Sequence, residues 1–96
     1  MKTRKVRIVN KLGLHARPAM QIVETANRFR SRVFIEKDGN RVEASSILDL
    51  LILVAPPGTE LTVIAEGPDE DEAVDEIARL IESGFGEELV ENLEDR

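Results

Sequence analysis

The dipeptide Asp38-Gly39 is the sequence feature that most constrains the fold of this chain. Asp-Gly is typical of a two-residue hairpin turn, because both turn residues must adopt positive φ angles. The runs on either side, residues 32–37 and 40–44, have the composition of short strands. The sequence therefore predicts an antiparallel hairpin near the middle of the chain.

Two further strands are predicted outside the hairpin. Apolar and charged residues alternate from Lys5 to Val9, which indicates a half-buried strand, and residues 60–66 form the fourth. From Pro18, apolar residues recur with the period of an amphipathic helix of about three turns. Residues 47–53 predict a short, very apolar helix, although a strand is the competing interpretation of so short a run.

The last helix is predicted from its ends. Asp69 is the expected N-cap residue, and Glu72 occupies the capping-box position three residues later. Gly84 is expected just past the end of this helix, with Phe85 packing back onto its last turn. Residues 87–96 are acidic and predict either a frayed tail or a weak extra turn with Leu89, Val90 and Leu93 on one side.

The element order is therefore β-α-β-β-α-β-α, which predicts an α+β fold. We expect an open-faced β-sandwich, a four-stranded antiparallel sheet with three helices on one face. The chain has 96 residues, of which 42% are hydrophobic, enough for one domain with its own core. We assign residues 1–86 to this single domain and residues 87–96 to an acidic C-terminal tail.

Composition argues against several classes of protein. Without cysteine there is no thiol catalysis, disulfide or Cys-ligated metal, and a single histidine makes any metal site unexpected. The longest apolar run, residues 47–57, contains Asp49 and is too short to span a bilayer. The basic N-terminus lacks the apolar segment of a signal peptide, so we expect a cytoplasmic protein. Net acidity and only three aromatic residues argue against nucleic-acid binding.

The net charge of −6 conceals a strong asymmetry. Residues 1–32 carry +8, residues 33–65 carry −3 and residues 66–96 carry −11. The basic third contains the histidine, and a basic patch can steer an acidic partner or a phosphate, although each charge is also compatible with an ordinary solvated surface. We further expect the acidic C-terminal residues to lie near the basic third and to affect partner access.

The only histidine, His15, lies where a strand should end and a helix begin. A helix N-terminus offers free N–H groups and positive dipole density, which suits an anion. The same dipole and the neighbouring cations disfavour an imidazolium, so we expect a neutral, nucleophilic His15. Arg17 can offer a forked donor to phosphate oxygens. The residues alone indicate phosphate chemistry on His15, with a plain structural or surface histidine as the alternative; no nucleophile elbow supports a hydrolase.

Ser46 and the apolar residues after it form a second candidate site. Ser45 and Ser46 are both good N-cap residues, and capping alone would explain Ser46. The functional alternative is a regulatory phosphosite, where a phosphoserine would add about two negative charges at a helix start. Ile47, Leu48 and Leu51 are either core residues or, because the helix is apolar nearly all round, part of a docking patch.

Taken together, these segments resemble the HPr family, the histidine phosphocarriers of the bacterial phosphoenolpyruvate:sugar phosphotransferase system. The resemblance covers about residues 4–85 and rests on the motif of residues 13–19 (GLHARPA), the segment Ser46-Ile47-Leu48-x-Leu50-Leu51, Glu60-Leu61 and the acidic start of the last helix. It implies that His15 accepts a phosphoryl group on Nδ1 from phosphorylated enzyme I and passes it to sugar-specific IIA domains, with Arg17 steadying the phosphate. It describes a carrier rather than a stand-alone enzyme, and it implies no cofactor.

The resemblance also implies regulation and a shared docking surface. Ser46 corresponds to the site that an ATP-dependent HPr kinase/phosphorylase modifies in many bacteria, which weakens transfer at His15 and favours regulatory partners such as a transcriptional regulator. The residues expected to bind partners are Ala16, Met20, Ile47, Leu48 and Leu51, and we expect a monomer. A regulatory binding module without sugar transport is the alternative function. Asp49, Met20, Pro56 and the tail depart from the family pattern and bear on partner preference.

Overall fold

The computed structural model describes residues 1–91 and contains one four-stranded sheet. The strands are β1 (Lys2–Arg7), β2 (Arg32–Lys37), β3 (Asn40–Glu43) and β4 (Glu60–Glu66). They lie in the order β1-β4-β2-β3, and each neighbouring pair is antiparallel. The helices are α1 (Ala16–Ala26), α2 (Ile47–Ile52) and α3 (Glu70–Glu82), and a short 3-10 helix, Gly84–Gly86, follows α3. The predicted α+β fold is confirmed.

One face of the sheet packs against the helices, and the other is open. Apolar residues of the strands and of all three helices form a single core, of which the fully buried members include Ile22, Ile35, Leu50, Leu61, Val63, Ile77 and Ile81. On the open face Phe34 is half-buried, with the guanidinium groups of Arg32 and Arg41 at 5.0 and 5.9 Å from its ring centroid. Sheet and helices together form the predicted open-faced sandwich, with polar residues on the uncovered side.

The hairpin between β2 and β3 forms as predicted. Asp38 and Gly39 have φ angles of 50° and 83°, the positive values of a primed turn, and Lys37 pairs with Asn40. Strands β2 and β4 also have the predicted bounds. The strongest local turn signal in the sequence therefore fixes the register of β2 with β3, the strand at one edge of the sheet.

Several element boundaries differ from the prediction; α2, for example, ends at Ile52, one residue before the predicted Leu53. Strand β1 is shifted toward the N-terminus, because its partner β4 begins at Glu60, which pairs with Arg7. Strand β3 ends at Glu43, one residue before the predicted Ala44. Helix α1 begins at Ala16, two residues before Pro18, because its first turn is built on the carbonyl of His15.

At the start of α3 the prediction of Asp69 as the N-cap residue is confirmed, whereas the predicted capping box with Glu72 is wrong. Asp69 is the N-cap residue, but its carboxylate makes no bond to its own helix. It accepts instead from the backbone N–H groups of Arg30 and Ser31 at 3.0 and 2.9 Å and from Ser31 Oγ at 2.5 Å. Glu70, not Glu72, reaches back to a backbone donor, the Gly67 N–H at 3.1 Å. The N–H groups of the turn before β2, distant in sequence, thus bind the Asp69 carboxylate in place of the N–H groups of α3.

The end of α3 agrees with the sequence. Gly84 follows the helix with a φ of 75°, and Phe85 is only 3% exposed. Within residues 1–91, no helix combines the length and the apolar character needed to cross a bilayer.

Candidate functional site

The loop before α1 places His15 at the N-terminus of this helix. It is the capping residue of the helix, with extended backbone angles and no side-chain cap bond. Gly13 precedes it at a φ of 68°, and a Cβ at this position would lie 2.6 Å from the Ala55 carbonyl oxygen. The Leu14 N–H donates to that same oxygen at 2.9 Å. The glycine of the motif is therefore required for the close approach that positions the histidine.

The helix start beside His15 leaves two backbone N–H groups outside the helical hydrogen bonds. The first bond of the helix runs from the Ala19 N–H to the His15 carbonyl at 3.0 Å, so the N–H groups of Ala16 and Arg17 precede the helical ladder. Pro18 has no N–H. Ala16 and Arg17 are both exposed, and Arg17 lines the same surface depression as His15. Two backbone donors, the helix dipole and a guanidinium thus make this surface favourable for an anion.

Glu87 contacts the imidazole from the far end of the chain. Both of its carboxylate oxygens lie 3.0 Å from His15 Nε2, and its side chain is 12% exposed, against 35% for His15. Glu87 Oε1 also accepts from Asn10 Nδ2 at 3.0 Å, and Asn10 Nδ2 donates to the Gly13 carbonyl at 2.8 Å. Within residues 1–91 the imidazole makes its side-chain hydrogen bonds through Nε2 alone.

The contact with His15 lowers the pKa of the Glu87 carboxyl. The hydrogen bond from His15 is the largest cause; burial opposes it, while the bond from Asn10 and the positive charge of Arg17 add to it. Glu87 is therefore ionised through the neutral pH range. A carboxylate, which can only accept hydrogen bonds, stands against one nitrogen of the imidazole.

The segment that carries Glu87 is folded against the loop before α1. The Lys11 N–H donates to the Glu88 carbonyl at 2.9 Å, and the Val90 N–H donates to the Val9 carbonyl at 2.8 Å. Lys11 Nζ lies 2.7 Å from Glu88 Oε2. The prediction of a frayed tail or a weak extra turn is therefore wrong for residues 87–90, because they pair with the loop before α1 through these backbone bonds. Leu93, which belongs to the same prediction, lies outside the described residues. Glu87 and Glu88 do approach the basic third, as expected.

Ser46 caps α2, which is helical rather than extended. Its hydroxyl accepts from the Asp49 N–H at 3.2 Å, and Asp49 is exposed on the first turn. The prediction of a short apolar helix with Ser46 as N-cap is confirmed. A modification of Ser46 remains a prediction.

The residues expected to bind partners lie on α1 and α2, which pack against each other. Leu48 and Met20 are 72% and 48% exposed, Ala16 is exposed, and Ile47 and Leu51 are half-buried against the core. Leu12, 73% exposed, lines both the depression at His15 and an apolar depression formed with Leu51 and Val54. A continuous surface therefore links the histidine to the exposed side of α2.

Sequence reasoning missed four residues of this region. The sequence pattern assigns Glu87 only to the acidic tail and does not single out Asn10, Leu12 or Val54. The one signal that pointed toward Glu87 is the charge asymmetry between the two ends of the chain. No local pattern predicts a bond between residues 72 positions apart.

The fold and the site together define a class of protein. A small α+β domain presents one imidazole, one guanidinium and an open helix start at its surface, which suits a carrier of an anionic group better than an enzyme with an enclosed pocket. A family model described as the PTS HPr component phosphorylation site matches residues 2–83. The chain therefore belongs to the HPr family of phosphocarrier proteins.

Relatives and solved structures agree with this assignment. The chain is 49% identical over 82 residues to the HPr-like protein Crh of Bacillus subtilis, covering 85% of this chain and 96% of Crh. It is 43% identical over 88 residues to the phosphocarrier protein HPr of Treponema pallidum, covering 92% and 100%. The crystal structure of HPr from Thermoanaerobacter tengcongensis is similar with a TM-score of 0.87 at 47% identity, covering 93% of this chain and 100% of that one. Crh of B. subtilis has also been solved as a domain-swapped dimer, with a TM-score of 0.71 and 48% identity over 88% of this chain and 97% of Crh.

Proposed function

We propose that this protein accepts a phosphoryl group on His15 Nδ1 from phosphorylated enzyme I and passes it to sugar-specific IIA domains. The observation that carries the proposal is His15 as the capping residue of α1, with Nε2 bonded to Glu87 and Arg17 two residues farther on. With Nε2 engaged, Nδ1 is the nitrogen left to react. The residues of the motif therefore have the geometry that a phosphohistidine carrier needs.

The chemistry asks little of the protein besides position and charge. Phosphoryl transfer depends on holding donor and acceptor in line and on neutralising the phosphoryl oxygens. The groups that would do this are the N–H groups of Ala16 and Arg17, which precede the helical ladder, and the Arg17 guanidinium. His15 remains 35% exposed, so that two partner proteins can reach it in turn.

The proposed partner surface lies beside the histidine. Exposed apolar residues of α1 and α2, Met20 and Leu48 among them, would be covered by enzyme I and by IIA domains. The basic first third of the chain suits an acidic enzyme I, and charge of this kind speeds encounter more than it adds affinity. Asp49 adds an exposed negative charge to α2 and bears on which partners fit.

Labelling with radioactive phosphoenolpyruvate and enzyme I tests this proposal. Wild-type protein should acquire acid-labile phosphate, and His15→Ala should acquire none. Ser46→Ala is the matched control, since it leaves His15 in place and should still be labelled. An unlabelled wild type, with enzyme I shown to be active on another HPr, would contradict the proposal.

A regulatory binding module is the second candidate function. It is supported by the similarity to Crh, which one solved structure describes as a catabolite repression protein, and by Ser46 at an accessible helix start. Phosphorylation of Ser46 by an ATP-dependent HPr kinase/phosphorylase would add about two negative charges beside Leu48, changing partner preference without unfolding the domain. A transcriptional regulator is then the expected partner.

The label itself separates the two functions. Acid-stable phosphate from ATP that disappears in Ser46→Ala, without any label from phosphoenolpyruvate, would favour the regulatory module. A search of the host genome for IIA and IIC components gives an independent answer, because a carrier needs an acceptor. We place either function in the cytoplasm, where enzyme I and ATP are found.

We also propose that the protein acts as a monomer, although Crh has been solved as a swapped dimer. Light scattering after size-exclusion chromatography decides this. A mass that stays near 10.7 kDa across a hundredfold range of concentration is expected, and a mass near twice that value would contradict it.

A further inference from the structure

A hydrogen-bonded chain joins Asn10, Glu87 and His15. Both oxygens of Glu87 lie 3.0 Å from His15 Nε2, and one of them lies 3.0 Å from Asn10 Nδ2. Because an ionised carboxylate only accepts, Nε2 must be the donor in this contact. The neutral imidazole then carries its proton on Nε2 and keeps a lone pair on Nδ1.

Asn10 fixes the carboxylate rather than merely touching it. Its side chain is fully buried, and its amide N–H₂ group binds the Gly13 carbonyl and Glu87. Turning the amide over would place its oxygen against these two acceptors, so its orientation is set by the contacts. Within residues 1–91 the buried Oδ1 has no hydrogen-bond partner, which costs stability. A buried amide that keeps both donors engaged at this cost is a support for the position of Glu87.

We propose that Glu87, held by Asn10, is a positioning residue that keeps the proton on His15 Nε2 and so directs the phosphoryl group to Nδ1. This inference deepens the proposed function and rests on it. It adds the two residues, from opposite ends of the chain, that select the reacting nitrogen.

The transfer step balances without any proton exchange at the ring. The Nδ1 lone pair forms the new N–P bond as the bond from phosphorus to the donor protein breaks, and the electron pair of that bond returns to the donor atom. The ring becomes a phosphorylated imidazolium that keeps its Nε2 proton, and the Glu87 carboxylate faces the positive charge. On delivery the N–P bond breaks, its electron pair returns to Nδ1, and the neutral ring with its Nε2 proton is restored.

The surrounding charges single out Glu87 as the group that acts on the ring. Lys11 from the preceding loop is paired with Glu88, and Arg17 belongs to the first turn of α1. Within residues 1–91, Glu87 is the carboxylate that contacts the imidazole, and the bond from His15 is the largest cause of its lowered pKa.

Chemical phosphorylation with potassium phosphoramidate tests the inference without enzyme I. The products on nitrogen are distinguished by ³¹P NMR with proton correlation. Wild-type protein should give the Nδ1 isomer, and Glu87→Ala should raise the share of the Nε2 isomer at least tenfold. Glu87→Gln should also raise it, because an amide can donate to Nε2 as well as accept. Asn10→Ala should fall between wild type and Glu87→Ala.

Glu88→Gln is the matched control, because it removes the same charge one residue along the chain from a side chain paired with Lys11. It should give the wild-type product. An unchanged isomer ratio in Glu87→Ala would overturn the inference, and so would wild-type selectivity in Glu87→Gln, which would show that bulk alone covers Nε2. Failure of the proposed function would give a different result. Phosphoramidate would then phosphorylate the wild type at Nδ1, but phosphorylated enzyme I would not.

A second measurement reads the contact from the carboxylate side. The pKa of Glu87, followed by the ¹³C shift of its carboxyl group, should lie below its ordinary value of 4.5 in the wild type and rise toward that value in His15→Ala. The same pKa in both proteins would show that the contact is absent in solution and would overturn the inference.

Discussion

At the starts of both α1 and α3, the capping residue makes no side-chain bond to its own helix. The two helix starts nevertheless differ, because one is bonded to the rest of the fold and the other is exposed. At α3, the Asp69 carboxylate accepts three hydrogen bonds from the turn before β2, and Ser31 Oγ in turn accepts from the Asp69 N–H at 3.1 Å. At α1, the N–H groups of Ala16 and Arg17 precede the helical ladder, and both residues are exposed. Polar groups that bond one another hold the fold together, whereas polar groups left available can bind a ligand.

The charges of the two regions follow the same division. The first turn of α3 carries Glu70, Asp71 and Glu72, which favour the positive end of the helix dipole. The first turn of α1 carries no acidic residue, so its dipole is not compensated within the helix. A carboxylate from outside the helix, that of Glu87, is engaged by His15.

The largest effect is expected from replacing Arg17. If this effect is absent, the contrast between the starts of α1 and α3 does not hold. We expect Arg17→Ala to slow phosphoryl transfer from enzyme I by roughly 10²-fold, the scale of losing one donor that stabilises transferred charge. Stability should change little, because Arg17 is exposed. Single-turnover labelling measures the rate, with Arg28→Ala as a control that removes an exposed arginine far along the chain. Equal rates in the two variants would show that Arg17 does not act on the phosphoryl group.

Replacing Asp69 should have the opposite signature. Asp69→Ala removes three accepted hydrogen bonds and should lower the urea midpoint clearly below that of Asp71→Ala, whose carboxylate is 75% exposed. Phosphoryl transfer at His15 should stay at the wild-type rate. A midpoint equal to that of Asp71→Ala would mean that the closed helix start contributes nothing to stability.

The pH dependence sharpens the same prediction. Bonds from Ser31 Oγ and the Arg30 N–H lower the pKa of Asp69 below its ordinary value of 3.8. A carboxyl with a lowered pKa contributes its full stability above the ordinary value, and that contribution is lost as the pH falls through the lowered value. The stability gap between wild type and Asp69→Ala should therefore be constant at neutral pH and close below about pH 3.8, as urea titrations at several pH values would show.

The same comparison can be made at a helix C-terminus, that of α2. Val54 follows this helix with a φ of 52°, a conformation that a β-branched residue adopts only at a cost, and its side chain is 66% exposed. Lys37 Nζ donates to the carbonyls of Leu53 and Val54 at 3.0 and 2.7 Å and so closes this end. Val54→Gly should raise the free energy of unfolding by about 1 kcal/mol, because glycine adopts positive φ without strain. Val54→Ala, which keeps a Cβ, is the control and should give a much smaller gain.

The smallest expected effect is at Ser46, the capped start of α2. Ser46→Ala removes the bond to the Asp49 N–H and should cost about 0.5–1 kcal/mol in free energy of unfolding, whereas Ser46→Gly should cost only a few tenths. Chemical denaturation measures both. Equal stability of wild type and Ser46→Ala would indicate that the hydroxyl has no capping value and is present for another reason.

Much of the fold could be predicted from the sequence, and the reason is local. The turn at Asp38-Gly39, the period of the apolar residues in α1 and α3, and Ser46 before α2 are each decided within a few residues. The candidate site was predicted only in part. His15 and Arg17 stand in one short motif, whereas Asn10 and Glu87 carry no pattern that marks them as partners of a histidine.

The sequence by itself thus determined the elements, the antiparallel class of fold and the histidine at a helix start, because turn chemistry and periodicity act over neighbouring residues. Only the tertiary structure decided how the polar groups pair. Glu87 reaches His15 across 72 positions, and Asp69 reaches Ser31 across 38, because folding brings these segments together and each carboxylate bonds the best donors it then meets. That pairing closes the start of α3 and leaves Ala16 and Arg17 exposed at the start of α1.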